Sequence, residues 1–260
     1  MLRRSLALLA ALAASTLLGT AAMAQGKALR IGVEGAYPPF SEIGADGKLK
    51  GFEIELAQAL CKQMQRQCEL VQQEFDALIP ALQARKIDAI VASLSITEER
   101  RKAIAFSDKY YSSPQRFFGK AGAKLDTTPA GMKGKRIGVQ SATIHERFIS
   151  AVYKDSVITR YATQDQIYLD LKTGRLDASF ADVVAVEFGF LKTPAGQGMG
   201  FHGPLFDDSK WFGEGVGVGL RKAEAATLGK AFNAAIAELR RNGGYQAIAG
   251  RYFSFDIYGR

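Results

Sequence analysis

Apolar residues along this chain fall into short runs, and the runs alternate between two periods. Leu29-Arg30-Ile31-Gly32-Val33 is brief and mostly apolar, which predicts a first buried strand. A loop from Glu34 to Phe40 follows, punctuated by Pro38 and Pro39. Asp46-Gly47 is a turn signal and predicts a hairpin tip. Phe52, Ile54, Leu56, Ala57, Leu60 and Met64 then recur at helical spacing. Glu53 and Glu55 fall in the first turn of that helix, where the dipole favours acids. A strand over Glu69–Gln73, a short helix over Leu78–Gln83 and a strand over Ile87–Ala92 complete a β-α-β-α-β series. That alternation predicts an α/β fold with a largely parallel sheet.

The second half repeats the first. Arg116-Phe117-Phe118-Gly119 reads as a crossing strand, and residues 122–134, rich in small residues, Lys and Pro, suit a loop in a new lobe. Arg136-Ile137-Gly138-Val139 then repeats Arg30-Ile31-Gly32-Val33, and Arg175-Leu176-Asp177-Ala178 echoes Lys86-Ile87-Asp88-Ala89. Two similarly built lobes are therefore expected. The run from Gly213 to Gly219 alternates Gly with Val and opens no helix. It lacks both the dinucleotide fingerprint and a phosphate-loop Gly-Lys-Ser/Thr, so it reads as a strand crossing back. Thr227–Asn242 is a helix with Leu228, Phe232, Ile236 and Leu239 on one face, closed by Asn242-Gly243-Gly244.

The ends and totals change this picture in three ways. Residues 1–24 read as a signal peptide: Arg3 and Arg4, an apolar run from Leu6 to Leu18, then Ala22-Met23-Ala24 as a cleavage site. An uncleaved anchor is the other reading, against which the run is short. Removing that segment from 260 residues leaves 236, and its two arginines leave 32 basic residues against 26 acids, a net charge of +6. The basic residues are scattered, which suits a solvated surface and not a nucleic-acid patch. Cys61 and Cys68 lie seven apart at a helix end. In an exported chain they read as a disulfide staple; a metal site would want further ligands, and His145 and His202 are remote.

Candidate chemistry gathers around Ser93-Leu94-Ser95-Ile96-Thr97-Glu98-Glu99-Arg100. Small hydroxyl residues between a strand end and a helix start leave N–H groups unpaired, a setting for an anion. Thr97 with Arg100 is no capping box, which needs Glu or Gln at that place. Arg100 either forks onto a carboxylate held by the loop or is solvated on a capped helix. Across two facing lobes, Arg100 suits a carboxylate, and Asp182 with Ser95 suits an ammonium. Tyr37 and Phe75 offer flat faces to a planar cation, and Glu34 would receive the charged end of a long side chain. The backbone at Thr143-Ile144 is expected to face the same cleft from the second lobe.

Tyr37-Pro38-Pro39-Phe40, Gly51-Phe52-Glu53-Ile54-Glu55-Leu56, Phe75-Asp76-Ala77-Leu78-Ile79-Pro80-Ala81-Leu82, Ser93-Leu94-Ser95-Ile96-Thr97, Phe106-Ser107-Asp108 and the closing Tyr252-Phe253-Ser254-Phe255-Asp256-Ile257-Tyr258-Gly259 resemble the periplasmic amino-acid-binding proteins of ABC transporters, solute-binding protein family 3. The lysine/arginine/ornithine and histidine group is the most similar, over the whole mature chain. The resemblance implies a two-lobed type II periplasmic binding protein fold, with two crossing strands and a ligand cleft. Lobe 1 would comprise residues 25–113 and 213–260, and lobe 2 residues 114–212. It implies a ligand set of Glu34, Tyr37, Phe75, Ser93, Leu94, Ser95, Arg100, Thr143, Ile144 and Asp182. It also implies a Cys61–Cys68 disulfide, no cofactor or metal, no catalysis, a monomer in the periplasm and an inner-membrane permease as partner. The ligand would be a cationic L-amino acid: arginine, ornithine or lysine, with histidine as a further candidate.

Three positions depart from the group. Glu34 stands where Asp is familiar in lysine and histidine binders, Ile144 where Thr is usual, and His145 where Gln is common. His145 is expected on the surface at a helix start, although partial charge near pH 6–7 would follow from its ordinary pKa of about 6.5. Rival readings are a dehydratase of cyclohexadienyl type, with Glu34 or His145 as acid or base, an opine-type arginine-derivative binder, and a sensor that presents its ligand to a receptor domain.

Overall fold

The structure is a computed structural model that describes residues 27–259; the signal-peptide expectation lies outside them. Thirteen strands are found among these residues: β1 (Leu29–Val33), β2 (Ala36–Tyr37), β3 (Ser41–Ile43), β4 (Leu49–Lys50), β5 (Cys68–Gln72), β6 (Ala89–Ile90), β7 (Ala105–Tyr111), β8 (Gln115–Lys120), β9 (Arg136–Gln140), β10 (Val157–Tyr161), β11 (Ala178–Asp182), β12 (Met199–Phe206) and β13 (Val216–Leu220). The α-helices are α1 (Phe52–Gln63), α2 (Leu78–Gln83), α3 (Glu98–Ala103), α4 (Ile144–Val152), α5 (Gln164–Lys172), α6 (Val183–Val186), α7 (Ser209–Phe212), α8 (Lys230–Arg241) and α9 (Gly244–Ala249).

Two five-stranded sheets share one plan. Their orders are β5-β1-β6-β13-β7 and β10-β9-β11-β8-β12. In each, the first three strands are parallel and the fourth runs antiparallel to both neighbours. The sequence repeat has a physical basis here. Arg30 at the start of β1 binds Asp88 through backbone N and Nε to Oδ2, at 3.1 and 3.0 Å. Arg136 at the start of β9 binds Asp177 through the same atoms, at 2.8 and 3.1 Å. Gly32 and Gly138 share a reason too. A Cβ on Gly32 would come within 2.4 Å of Ile87, and one on Gly138 within 2.4 Å of Leu176.

Each sheet buries both faces, as parallel-rich sheets must. Ile31, Val33, Val218 and Leu220 pack with Phe52, Leu56, Phe232 and Ile236 of α1 and α8, while Ile90 packs with Leu78 and Leu82 of α2. In the second sheet Ile137 and Val139 pack with Phe148 and Ile149 of α4, while Phe118 packs with Ile167 and Leu171 of α5. The Cys61–Cys68 disulfide ties the end of α1 to the start of β5. Asp46-Gly47 does sit at the tip of the β3–β4 hairpin.

The chain passes between sheets at residues 112–114, ahead of β8, and at residues 213–215, ahead of β13. Gly213 has φ 81°, and a Cβ there would lie 2.2 Å from the Ile96 carbonyl oxygen, so this return is closed to other residues. Two expectations shift at their edges. Only Ala89–Ile90 of the Ile87–Ala92 run pairs as strand, although Ile87, Ala89, Ile90, Val91 and Ala92 are all buried. The helix expected from Thr227 opens as a π-helical turn over Ala225–Gly229 before α8. Among the described residues no helix is long and apolar enough to cross a membrane.

Candidate functional site

The parallel strands β1, β6, β9 and β11 end around one cavity of about 270 Å³ between the two sheets, where open α/β sheets place their ligands. Nine of the ten residues expected from sequence line it: Glu34, Tyr37, Phe75, Ser93, Ser95 and Arg100 from one side, Thr143, Ile144 and Asp182 from the other. Leu94 does not line it. Its side chain is 1 % exposed and packs with the α2 core, and its carbonyl accepts from the Gly217 N–H at 3.2 Å.

Glu34 follows β1 directly and is 4 % exposed. Its Oε1 accepts from Gln140 Nε2 at 2.6 Å, across the two halves. Burial pushes its pKa up to about 7, despite the opposing Gln140 hydrogen bond. Asp182 ends β11 and caps α6, its Oδ1 accepting from the Ala185 N–H at 2.9 Å. Burial lifts its pKa to about 6. Two buried carboxylates thus sit in the cavity at the expense of desolvation, which a bound cation would offset.

Arg100 is the cavity's cation. Nη1 donates to the Ser95 carbonyl at 3.1 Å and Nη2 to the Ala142 carbonyl at 3.0 Å, again across the halves. Its Cζ lies 5.5 Å from the Phe75 ring centroid. Among the described residues it forms no ion pair. Burial, with repulsion from Arg147, lowers its pKa to about 10, so it stays charged at neutral pH. The cap expectation also holds: Thr97 Oγ1 accepts from the Arg100 N–H at 3.2 Å without a capping box. Thr143 caps α4 and its hydroxyl also donates to the Gln140 carbonyl at 2.7 Å. The first turn of α4 brings backbone N–H groups without an intrahelical partner to the cavity edge.

Ser93 behaves differently from expectation. Its N–H and hydroxyl both go to Glu53, at 2.7 and 3.1 Å, and Tyr110 donates to the same carboxylate at 2.5 Å. Glu53 lies in the first turn of α1 as expected and is fully buried there, with its pKa raised by burial to about 7. It holds Ser93 at φ 51°, a left-handed conformation a serine seldom adopts. His145 is a second correction. It is 7 % exposed, lines the cavity, and its Nε2 meets Gln115 Oε1 at 2.5 Å. Burial and then Arg100 lower its pKa to about 3, so it is neutral and carries no charge near pH 6–7.

Gln140, Gln115, Tyr111, Ser113 and Asp207 also line the cavity. None was anticipated from sequence. The repeat held the signal for Gln140, because it follows Arg136-Ile137-Gly138-Val139 as Glu34 follows Arg30-Ile31-Gly32-Val33. Outside the cavity, Arg147 of α4 reaches Glu99 of α3 at 2.9 Å. With the Glu34–Gln140 and Arg100–Ala142 contacts, this bridge marks the two halves as closed on each other.

Residues 29–255 match the family model of bacterial extracellular solute-binding proteins, family 3. The L-arginine-binding protein of Pseudomonas aeruginosa is 50 % identical over 258 residues, covering 98 % of this chain and 99 % of that protein. The lysine/arginine/ornithine-binding periplasmic protein of Escherichia coli is 44 % identical, over 95 % of this chain and 98 % of that one. A solved ancestral arginine-binding protein bound to arginine superposes with a TM-score of 0.81 at 34 % identity, over 88 % of this chain and all of that one. The two-lobed α/β architecture is that of type II periplasmic binding proteins. The relatives are named for binding and not for catalysis. By its matched span and its relatives, the chain belongs to family 3 of the bacterial extracellular solute-binding proteins.

Proposed function

We propose that this protein is the periplasmic solute-binding component of an ABC importer, and that it closes on a cationic L-amino acid and delivers it to an inner-membrane permease. Arginine, ornithine and lysine are the favoured ligands, and histidine is a further candidate. The observation that carries the reading is Glu34, a carboxylate 4 % exposed in the cavity between the two sheets, with a pKa pushed by burial to about 7. Arg100 would hold the α-carboxylate with the N–H groups at the start of α4. Asp182 and Ser95 would hold the α-ammonium, and Tyr37 and Phe75 would sandwich the side chain. Each ligand charge then meets an opposite charge, the condition for burying it. Ligand contacts from both halves would favour the closed state over an open one. Residues 25–113 with 213–260 would move as one lobe, and residues 114–212 as the other, in a monomer.

A binding role fits the commitments of the polar groups better than catalysis does. His145 is too weak a base at neutral pH, with a pKa of about 3. Glu34 and Asp182 have pKa values of about 7 and about 6, in the range of acid–base work, but a bound cation at each would pull it down and keep it ionised. The test is calorimetric titration of protein stripped of ligand by unfolding and refolding, against arginine, ornithine, lysine, histidine and glutamine. Tight binding of cationic ligands, with glutamine much weaker, supports the reading. Silence toward all five overturns it and turns attention to opines and to dehydratase activity on prephenate-type acids.

A further inference from the structure

Gln140 ends β9, is 3 % exposed, and lies in the same cavity as Glu34. Its amide nitrogen has two hydrogens and both are used: one goes to Glu34 Oε1 at 2.6 Å, the other to the Ala162 carbonyl at 3.0 Å. The Ala162 carbonyl can only accept, and so can Glu34 once ionised, so the orientation of the carboxamide is set by chemistry: its nitrogen faces them. The amide is therefore locked, and it has no donor left for a ligand. Glu34 Oε2, by contrast, has no hydrogen-bond partner among the described residues.

We propose that Gln140 is a specificity-determining residue of this cavity: by donating to Glu34 Oε1 it takes one of that oxygen's two acceptor sites and leaves Oε2 as the fully open oxygen for the ligand's side-chain cation. The assignment rests on the cationic amino-acid reading and deepens it. A guanidinium is a planar fork whose strongest mode on a carboxylate uses both oxygens in parallel. An ammonium is a point charge that needs only one. With one acceptor site of Oε1 already committed to the amide, the second hydrogen bond of a guanidinium fork is weakened, whereas an ammonium on Oε2 forfeits nothing. Gln140 thus handicaps arginine relative to ornithine and lysine, compared with the same pocket lacking this amide.

The test compares arginine and ornithine by calorimetry on the mature protein and on Gln140→Leu and Gln140→Met. Neither replacement can donate to Glu34, and they differ in shape. Freed of the amide, both Glu34 oxygens become fully available, and the ratio Kd(ornithine)/Kd(arginine) should rise in both variants by roughly three- to tenfold, a part or the whole of one hydrogen bond to a charged group. An unchanged ratio, with both ligands weakened by a common factor, would make Gln140 a packing residue and overturn the proposal. A ratio that moves in one variant only would overturn it as well, because shape and not the donor would then be responsible. Thermal melts establish folding first. If an apolar replacement unfolds the protein, Gln140→Asn carries the test, since its amide is one methylene too short to reach Glu34. A wild-type protein silent to arginine and ornithine alike fails at an earlier stage. It would overturn the function reading, and this assignment with it, before any variant is compared.

Discussion

Glu34→Gln separates charge from shape in the cavity. The substitution keeps the length and planarity of the side chain, and its amide oxygen can still accept from Gln140, which holds Glu34 Oε1 at 2.6 Å. What disappears is the negative charge facing the ligand. Removing one partner of a buried ion pair leaves the other desolvated and unpaired, at a cost of about 3–5 kcal/mol. That converts to roughly two to four orders of magnitude in Kd for arginine or ornithine. The neutral site should meanwhile lose nothing toward a neutral side chain. Burial pushes Glu34 from its ordinary 4.5 to about 7, so the glutamine also relieves a desolvation penalty. Calorimetry with arginine and citrulline reads the difference directly, because citrulline has a neutral ureido group where arginine has its guanidinium. Arginine should weaken steeply and citrulline change only a few-fold. If both ligands weaken by the same factor, Glu34 acts through cavity shape and the electrostatic argument fails.

Three further outcomes follow from other parts of the molecule. Arg100→Ala should weaken every amino acid tested by roughly two orders of magnitude or more, since a buried carboxylate loses its cation whatever the side chain; binding of ornithine within tenfold of wild type would refute that role. Glu53 is fully buried with its pKa raised from 4.5 to about 7, so its proton favours the folded state. That contribution is complete below pH 4.5 and is lost as pH rises through 7, amounting to at most about 3 kcal/mol. Urea unfolding from pH 5 to 8 should show this decline in wild type and a flatter profile in Glu53→Gln. Replacing both Cys61 and Cys68 with Ser opens a loop closed over a separation of seven residues. Unfolding free energy should fall by about 2–3 kcal/mol with arginine affinity unchanged, as urea melts and calorimetry would reveal.

The order of elements was legible from the hydrophobic period, because buried parallel strands and amphipathic helices write different patterns. The duplication was legible as well, through Arg30 and Arg136 with their aspartates. Nine of the ten expected residues reached one cavity because strand ends and helix starts converge there by topology. The burial of Leu94 and of Glu53 was not legible, because loop and first-turn segments take their inward or outward direction from tertiary packing. Nothing local in Phe52-Glu53-Ile54 indicates that Tyr110, 57 residues away, will bury the acid. His145 was misplaced for the same reason: its partner Gln115 comes from a strand that the repeat does not align with it. The repeat aligns Gln140 with Glu34, but an amide carries no charge to mark it as a site residue.

The position of β13 governs the order in which this molecule can be made. It lies between β6 and β7, in the interior of the first sheet, yet it is contributed by residues 216–220. Residues 115–206 supply every strand of the second sheet without interruption. As the chain emerges from amino to carboxyl end, the second half can be completed first, while the earlier-emerging half waits with a gap between two of its strands. A nascent chain stopped short of residue 216 would therefore pair one half of its architecture fully and hold the other open. Such a chain remains threadable for longer than one whose strands pair in the order of synthesis, which suits a protein that must cross a membrane before it folds.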